Sequence, residues 1–371
     1  MFLALRELKH SKMRYVLIGG IMMLIAWLVF LLSGLANGLA TDNGSSLKNM
    51  KADAIVFQSE VKLYLHRSLL PMSKLDEVKG VQGVTNAAPL GMLTVTTKDS
   101  DGTESIDATM LAIQPESFLA PKVIEGQALA ANSGQEAVVD KTFKRHGVKL
   151  GDELKIQSSD QTVKVIGFTT GQTYNHLPVI FTNIPFWQKI RFAAPGSDSG
   201  IQNPISAIAV QSQQDGITDM LNQKLSGVET VTRDVALQNL PGYKEEMGTI
   251  TMMLAFLFVI AAFVLAVFFY VLTLQKSNQF GVLKALGAST SYLAKNLLGQ
   301  IFLLSLVSIV VGAGLTYLVA AVMPGEVPFA LDNGVVVVYS VILLIVSMLG
   351  AMISLRRIAK IDALQAIGKV E

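Results

Sequence analysis

Four stretches of the chain are apolar and free of Asp, Glu, Lys and Arg: Tyr15 to Ala40, Ile250 to Leu274, Leu297 to Met323 and Val335 to Leu355. Each reaches the roughly 20 residues that an α-helix needs to cross about 30 Å of hydrocarbon at 1.5 Å per residue. Lipid offers the backbone no hydrogen-bond partner, so such runs cross as helices. Of the 371 residues, 51% are hydrophobic and only 16% charged, against about 25% charged in a soluble domain. The expected fold class is a membrane α-helical protein with four transmembrane helices and a mixed α+β extracytoplasmic domain inserted between helices 1 and 2. Its segments are a cytoplasmic amphipathic helix (1–14), transmembrane helix 1 (15–40), the extracytoplasmic domain and stalk (41–249), and helix 2 (250–274). A cytoplasmic coupling-helix loop (275–296), helix 3 (297–323), an outer loop (324–334), helix 4 (335–355) and a cytoplasmic tail (356–371) follow.

Charge sets the expected orientation. The amino-terminal segment, the 275–296 loop and the tail together hold 11 Lys and Arg but three acids, Glu7, Asp362 and Glu371. The 41–249 block holds 19 basic and 23 acidic residues, and the 324–334 loop only Glu326 and Asp332. Lys and Arg near helix ends stay on the cytoplasmic side. Both termini are therefore expected in the cytoplasm, and a net charge of +2 carries no suggestion of nucleic acid. Arg6, Lys9, Lys12 and Arg14 before the first run, with Gly38-Leu39-Ala40 after it, imitate a secretory signal. The apolar run exceeds the usual 7–15 residue signal core, which favours a retained anchor. The chain has no cysteine, which points mildly to a Gram-positive plasma membrane.

In the 41–249 block, β-branched or alternating runs predict strands at 54–58, 84–97, 106–113, 137–139, 153–156, 162–168, 179–181 and 205–211. Helical patterns fall at 73–78 with Ser73 as N-cap, at 141–146 closed by Gly147, at 185–191 and at 216–225. A helical stalk is expected from Asp234 to Met247, with Gly242 marking the return to the membrane.

Several chemistries lack their residues. His10, His66, His146 and His176 are the only histidines, and no two are spaced to share a helix face around a metal. There is no G-x-x-x-x-G-K-[ST] phosphate loop, so the chain is not expected to be an enzyme that hydrolyses ATP. Charge-free spans argue against a proton-driven carrier. Gly19-Gly20 and Gly312-Ala313-Gly314 read as close helix contacts.

The most distinctive segment is the 275–296 loop. Phe280, Val282, Leu283 and Leu286 give a short helix one apolar side, Gly287 can end it, and Ser289 or Thr290 can cap the next. Such a helix suits a groove on a cytoplasmic partner; lying on lipid is the alternative.

Phe280-Gly-Val-Leu-Lys-Ala-Leu-Gly-Ala288, the Asp362-Ala-Leu-Gln-Ala-Ile-Gly tail and the four-helix layout resemble the FtsX-like permeases, also called MacB-type or type VII ABC transporter permeases. Ser33-Gly-Leu-Ala-Asn-Gly-Leu39 and Phe268-Phe-Tyr-Val-Leu-Thr-Leu-Gln-Lys276 are most similar to the haem-exporting members of Gram-positive bacteria. The resemblance implies a homodimer carrying two copies of a separate ABC ATPase subunit, which binds the ATP. Phe280, Leu283, Lys284 and Leu286 would be its contacts, and ATP-driven closure would act on the outer domains by mechanotransmission. It implies no intrinsic cofactor, with haem (hemin) as transported ligand captured from membrane lipid. Export of another amphipathic compound or antimicrobial peptide, or FtsX-like signalling to an extracellular partner, is the alternative.

Haem requires apolar walls and an axial Tyr, His or Met in a chain without cysteine. The resemblance points to Tyr174 and Tyr243. His176, in the Gly171-Gln-Thr-Tyr-Asn-His176 loop, and Met22 and Met253 are further candidates. Against them stand an aromatic belt for the tyrosines and apolar packing for the methionines.

Overall fold

A computed structural model describes residues 12–98, 104–157, 159–324 and 327–359, without the side chains of Lys12, Arg14 and 353–359. The expected 1–11 part of the amphipathic helix and the Asp362–Gly368 motif lie outside the described residues. The chain divides into two units. One comprises Met1–Leu39 and Met247–Glu371, the other Ala40–Glu246.

The elements run in this order: α1 Lys12–Lys48, β1 Ala54–Gln58, β2 Leu70–Pro71, α2 Lys74–Lys79, β3 Val84–Lys98, β4 Ser105–Ile113, β5 Val123–Gly126 and β6 Glu136–Asp140. After a 3₁₀ turn at Lys141–His146 come β7 Glu153–Ile156, β8 Thr162–Thr169, β9 Thr173–Tyr174, β10 Leu177–Asn183, α3 Ile184–Arg191, β11 Pro204–Ile205 and β12 Ala207–Ser212. The last elements are α4 Ile217–Lys224, β13 Val228–Thr232, α5 Arg233–Gln238, α6 Tyr243–Gln275, α7 Ser277–Ala285, α8 Thr290–Val322 and α9 Asn333–Ala359.

Ala40–Glu246 is built on one mixed sheet in the order β13-β1-β12-β3-β4-β10-β6-β8-β5, with β7 pairing β3 and β8. The β10–β4 and β6–β8 pairs are parallel and the others antiparallel. Because successive side chains point to opposite faces, β1 sends Ala54 and Val56 into one core and Ile55 and Phe57 into the other. β12 likewise divides Ile208 and Val210 from Ala207 and Ala209. Burial on both faces is why these strands read as unbroken apolar runs. Helices α2, α3 and α4 contribute Val78, Trp187 and Leu221 to the first core; Leu47 of α1, Tyr174 and Ala236 of α5 belong to the second.

Two local expectations are corrected. Ser73 occupies the N-cap of α2 without a side-chain capping bond, its backbone already being helical. The stalk is not one helix: α5 ends at Gln238 and α6 starts at Tyr243. A residue before proline is disfavoured in the helical region, which accounts for the break ahead of Pro241, and Gly242 turns at φ +78°, a conformation open to glycine. β2, β5, β9 and β13 had no legible sequence pattern.

Among the described residues four helices are long and apolar enough to cross a membrane, Tyr15–Lys48, Tyr243–Gln275, Thr290–Val322 and Asn333–Met352; their apolar parts make up the helical unit together with α7. Apolar residues also cover its outside, including Phe256, Val259, Phe263, Val310 and Leu349, as a hydrocarbon solvent requires. A Cβ at Gly312 would lie 3.1 Å from Met23 O and Trp27 N, and Ser308 Oγ donates to Gly19 O at 3.0 Å. These two glycines therefore mark a close crossing of α1 and α8. Gly20 and Gly314 face open space and do not share that role.

The Gly34-Leu-Ala-Asn-Gly38 stretch of α1 seats the α8–α9 connection. Ala330 N donates to Gly34 O at 3.0 Å and Asn37 Nδ2 to Ala330 O at 3.0 Å. A Cβ at Gly34 would enter the Phe329 ring, and one at Gly38 would collide with the Pro328 carbonyl.

Candidate functional site

The 275–296 segment folds as two capped pieces. Gln275 ends α6, Lys276 occupies the N-cap position of α7, and Gly287 follows it at φ +93°. Ser289 Oγ accepts from Tyr292 N at 3.2 Å and starts α8. Phe280 is buried in a cluster with Leu272, Leu293 and Leu297, and Leu283 packs partly against it. Phe280 therefore anchors α7 to its own bundle. Lys284 is half-buried, whereas Val282 is 49% and Leu286 79% exposed. The face available to another protein is thus offset from the one the sequence suggested.

The haem candidates are not brought to one place. Met22 is buried between helices, with Ser305 Oγ 3.8 Å from its sulfur, while Met253 is 48% exposed on α6. Both belong to the helical unit. Tyr174 is only 3% exposed, in the second core of the sheet domain. Burial raises its phenol well above the ordinary value near 10, which disfavours the phenolate that binds iron. Tyr174 is therefore placed in the core, out of contact with solvent. Tyr243, half-buried at the first turn of α6, packs on the edge of the same core.

His176 is exposed and held at φ +63°, after Asn175 at φ +52°. Its Nδ1 lies 3.1 Å from Asp42 Oδ2 and its Nε2 3.5 Å from Glu246 Oε2. Asn43 Nδ2 donates to the same Glu246 oxygen at 2.9 Å. The 171–176 loop is tied down along residues 41–49. Asn175 N donates to Asn43 O at 2.6 Å, Thr173 N to Ser45 Oγ at 2.8 Å, and Asn49 Nδ2 to Gly171 O at 2.9 Å. Both imidazole nitrogens thus face carboxylates, so His176 serves as a bridge between the first and last residues of the sheet domain. The carboxylates sit at opposite ends of the ring and cannot share one ion with it. Among the described residues no group of three or more His, Asp or Glu is placed to hold a metal. Asp42, Asn43 and Glu246 carried no sequence signal, since nothing in the order of residues pairs 42 with 246.

Residues 251–363, from α6 through α9, match the model of the FtsX-like permease C-terminal family. The chain carries an FtsX-like permease domain. Over the full length it is similar to the proposed hemin transport system permease HrtB of Staphylococcus epidermidis, with 29% identity over 368 residues and 99% of both chains covered. HrtB of Staphylococcus haemolyticus is 29% identical over 371 residues, 100% of each. An uncharacterized ABC transporter permease of Mycobacterium tuberculosis is 27% identical over 371 residues, 99% of each. Among solved structures, the extracellular domain of YknZ from Gram-positive bacteria is 16% identical at a TM-score of 0.35, covering 49% of this chain and all of that one. The periplasmic region of MacB from Actinobacillus actinomycetemcomitans is 16% identical at 0.37, covering 52% and 94%. In the permease domain α7 is the short element between two membrane helices, and the sheet domain is an insertion ahead of it. The protein is a membrane protein.

Proposed function

We propose that the chain is the permease subunit of an ABC exporter that expels haem from the membrane, driven by a separate, HrtA-like ATPase. The observation that carries the mechanical part is α7, a nine-residue helix fixed from behind by Phe280 while Val282 and Leu286 project from it. Two apolar side chains one turn apart are the minimal grip of a helix laid in a groove. The ATPase is expected on that side, together with both termini. A homodimer with two ATPases gives each α7 its own motor.

The full-length similarity to HrtB supports haem as cargo. Its apolar macrocycle partitions into lipid, and the exposed side of α6 with Met252, Met253 and Phe256 offers it an uncharged path from lipid. Of the two tyrosine candidates Tyr243 is the more accessible, being half-buried where Tyr174 is 3% exposed. A second reading, an extracellular macromolecular partner, is favoured by a cleft of about 980 Å³ in the sheet domain lined by Asn86, Gln114, Asn132, Gln188 and Lys189.

The test uses the complex of the full chain with its ATPase in lipid nanodiscs. Hemin should stimulate ATP hydrolysis, and a deletion strain should become sensitive to hemin while keeping its tolerance of unrelated drugs. Hemin-independent hydrolysis together with unchanged hemin tolerance overturns the haem reading.

A further inference from the structure

Beside α7 lies a polar cluster in an apolar setting. Lys276 is 4% exposed, and Gln300 2%. Lys276 Nζ donates to Gln300 Oε1 at 2.8 Å, and Tyr15 Oη donates to the same oxygen at 2.9 Å. The amine also stands 5.4 Å from the centre of the Tyr15 ring, within the roughly 6 Å reach of a cation–π contact. Around them are Ile18, Phe269, Leu272, Phe280, Leu293 and Leu297.

Burying an amine and an amide among such residues costs free energy unless each is bonded. The placement indicates what they do. Tyr15 sits in the first turn of α1, Gln300 on α8, and Lys276 at the joint between α6 and α7. One acceptor atom thereby ties three elements together where α7 begins. Phe280, one turn further on, is seated in the same cluster. With both anchors set, α7 cannot slide along the bundle without dragging α1 and α8.

We infer that Lys276, Gln300 and Tyr15 form a positioning junction that passes displacement of α7 to helices α1 and α8. This rests on the reading of α7 as the ATPase-driven element. A junction of this kind acts through coupling. Without it the motor still docks and hydrolyses ATP, but α7 moves on its own.

The test exploits a chain free of cysteine. Met13→Cys and Asn278→Cys, both exposed, take nitroxide labels on α1 and α7 in the full complex with its ATPase, in nanodiscs. The distance distribution is read by electron–electron resonance without nucleotide and after trapping with ATP and vanadate. With the junction intact, α7 and α1 should move together and the distribution should stay narrow in both states. Lys276→Met and Gln300→Leu should leave ATPase binding and basal hydrolysis near the parent values, yet broaden or shift the trapped distribution. Export per ATP should fall at least about fivefold, the lower end of coupling between sites. Tyr15→Phe, which keeps the ring and removes one bond, should give the same change in smaller measure, and Lys276→Arg should restore part of the loss. Should the two stronger variants fail to assemble, Tyr15→Phe and Lys276→Arg carry the test. Distributions and export per ATP equal to the parent in every variant that assembles would overturn the junction. If the parent complex binds no ATPase, the reading of α7 fails instead; if it binds one but ignores hemin, only the cargo fails, and the distance measurement still decides the junction.

Discussion

Replacing Tyr174 separates packing from iron ligation. The side chain is 3% exposed in a core that also holds Leu47, Met50, Leu111, Val179 and Phe181. A tyrosine buries about 150–250 Å², which at about 25 cal/mol per Å² corresponds to roughly 4–6 kcal/mol. Discounting for a compact unfolded chain leaves about 3–4 kcal/mol, in line with the 3–5 kcal/mol typical of deleting a buried ring. Tyr174→Ala should therefore destabilise the sheet domain by about 3–4 kcal/mol, whereas Tyr174→Phe keeps the ring and should cost about 1 kcal/mol or less. Trp187, fully buried in the sheet domain, reports unfolding by fluorescence in a Trp27→Phe background of the full chain in detergent. With a urea slope near 2 kcal/mol per M, the alanine variant should lose about 1.5–2 M from its midpoint. Hemin ligation, read from the visible spectrum, should survive in Tyr174→Phe. Two results refute the reasoning: an alanine midpoint within about 0.3 M of the parent, or a stable phenylalanine variant whose hemin spectrum has lost its phenolate signature.

Four other outcomes follow from the same structure. Leu286→Asp and Val282→Asp should abolish co-purification of the ATPase while leaving chain folding intact, since both residues are exposed; retained co-purification would remove α7 as the docking element. Gly38→Leu should cost about 1–3 kcal/mol as an overpacked contact and free the Pro328–Leu331 connection, detectable as faster proteolysis there, with Gly20→Leu as the silent control. His66 has its imidazole value lowered from 6.5 by burial and then by Arg67 and Arg191, so the folded state prefers it neutral. Its stabilising share is present above about pH 6.5 and lost as pH falls through the lower folded value; the urea midpoint should drop on acidification, and an unchanged slope in His66→Gln would contradict this. His176→Asn should lower the unfolding free energy by less than about 1 kcal/mol, because contacts between exposed polar side chains contribute little; a larger loss would mean the bridge is structural.

The membrane helices and most strands were legible because hydrocarbon and a two-faced sheet core both demand long apolar runs. What the residues could not announce were contacts between distant positions. Gly34-Leu-Ala-Asn-Gly38 stood out by resemblance alone, and only the α8–α9 connection gives a reason: two missing Cβ atoms make room for Phe329 and Pro328. Short strands such as β9 and β11 are fixed by their partners, with too few residues for a period to show. Burial of Phe280 was not legible because a helix with apolar residues at 280, 282, 283 and 286 has no sequence mark for which of them faces its own bundle. Burial of Tyr174 was hidden for a related reason, since a tyrosine next to Asn175 and His176 in a polar loop does not announce that β9 turns its ring inward.

The same logic bears on the lever role proposed for α7. A docking helix must be loose enough to be gripped and firm enough to transmit. Phe280 and Lys276 provide firmness on one side, while Leu286, 79% exposed, stays available on the other. A helix with all four apolar residues buried would leave the motor nothing to hold, and one with all four exposed would slip on the bundle at each ATP turnover. Division of a single apolar set between inward anchor and outward grip is what a mechanical coupling element needs. It predicts that Phe280→Ala, unlike Leu286→Asp, should retain ATPase binding and lose export per ATP, measured on the same nanodisc complex. Loss of binding in both variants would show that α7 is not divided in this way.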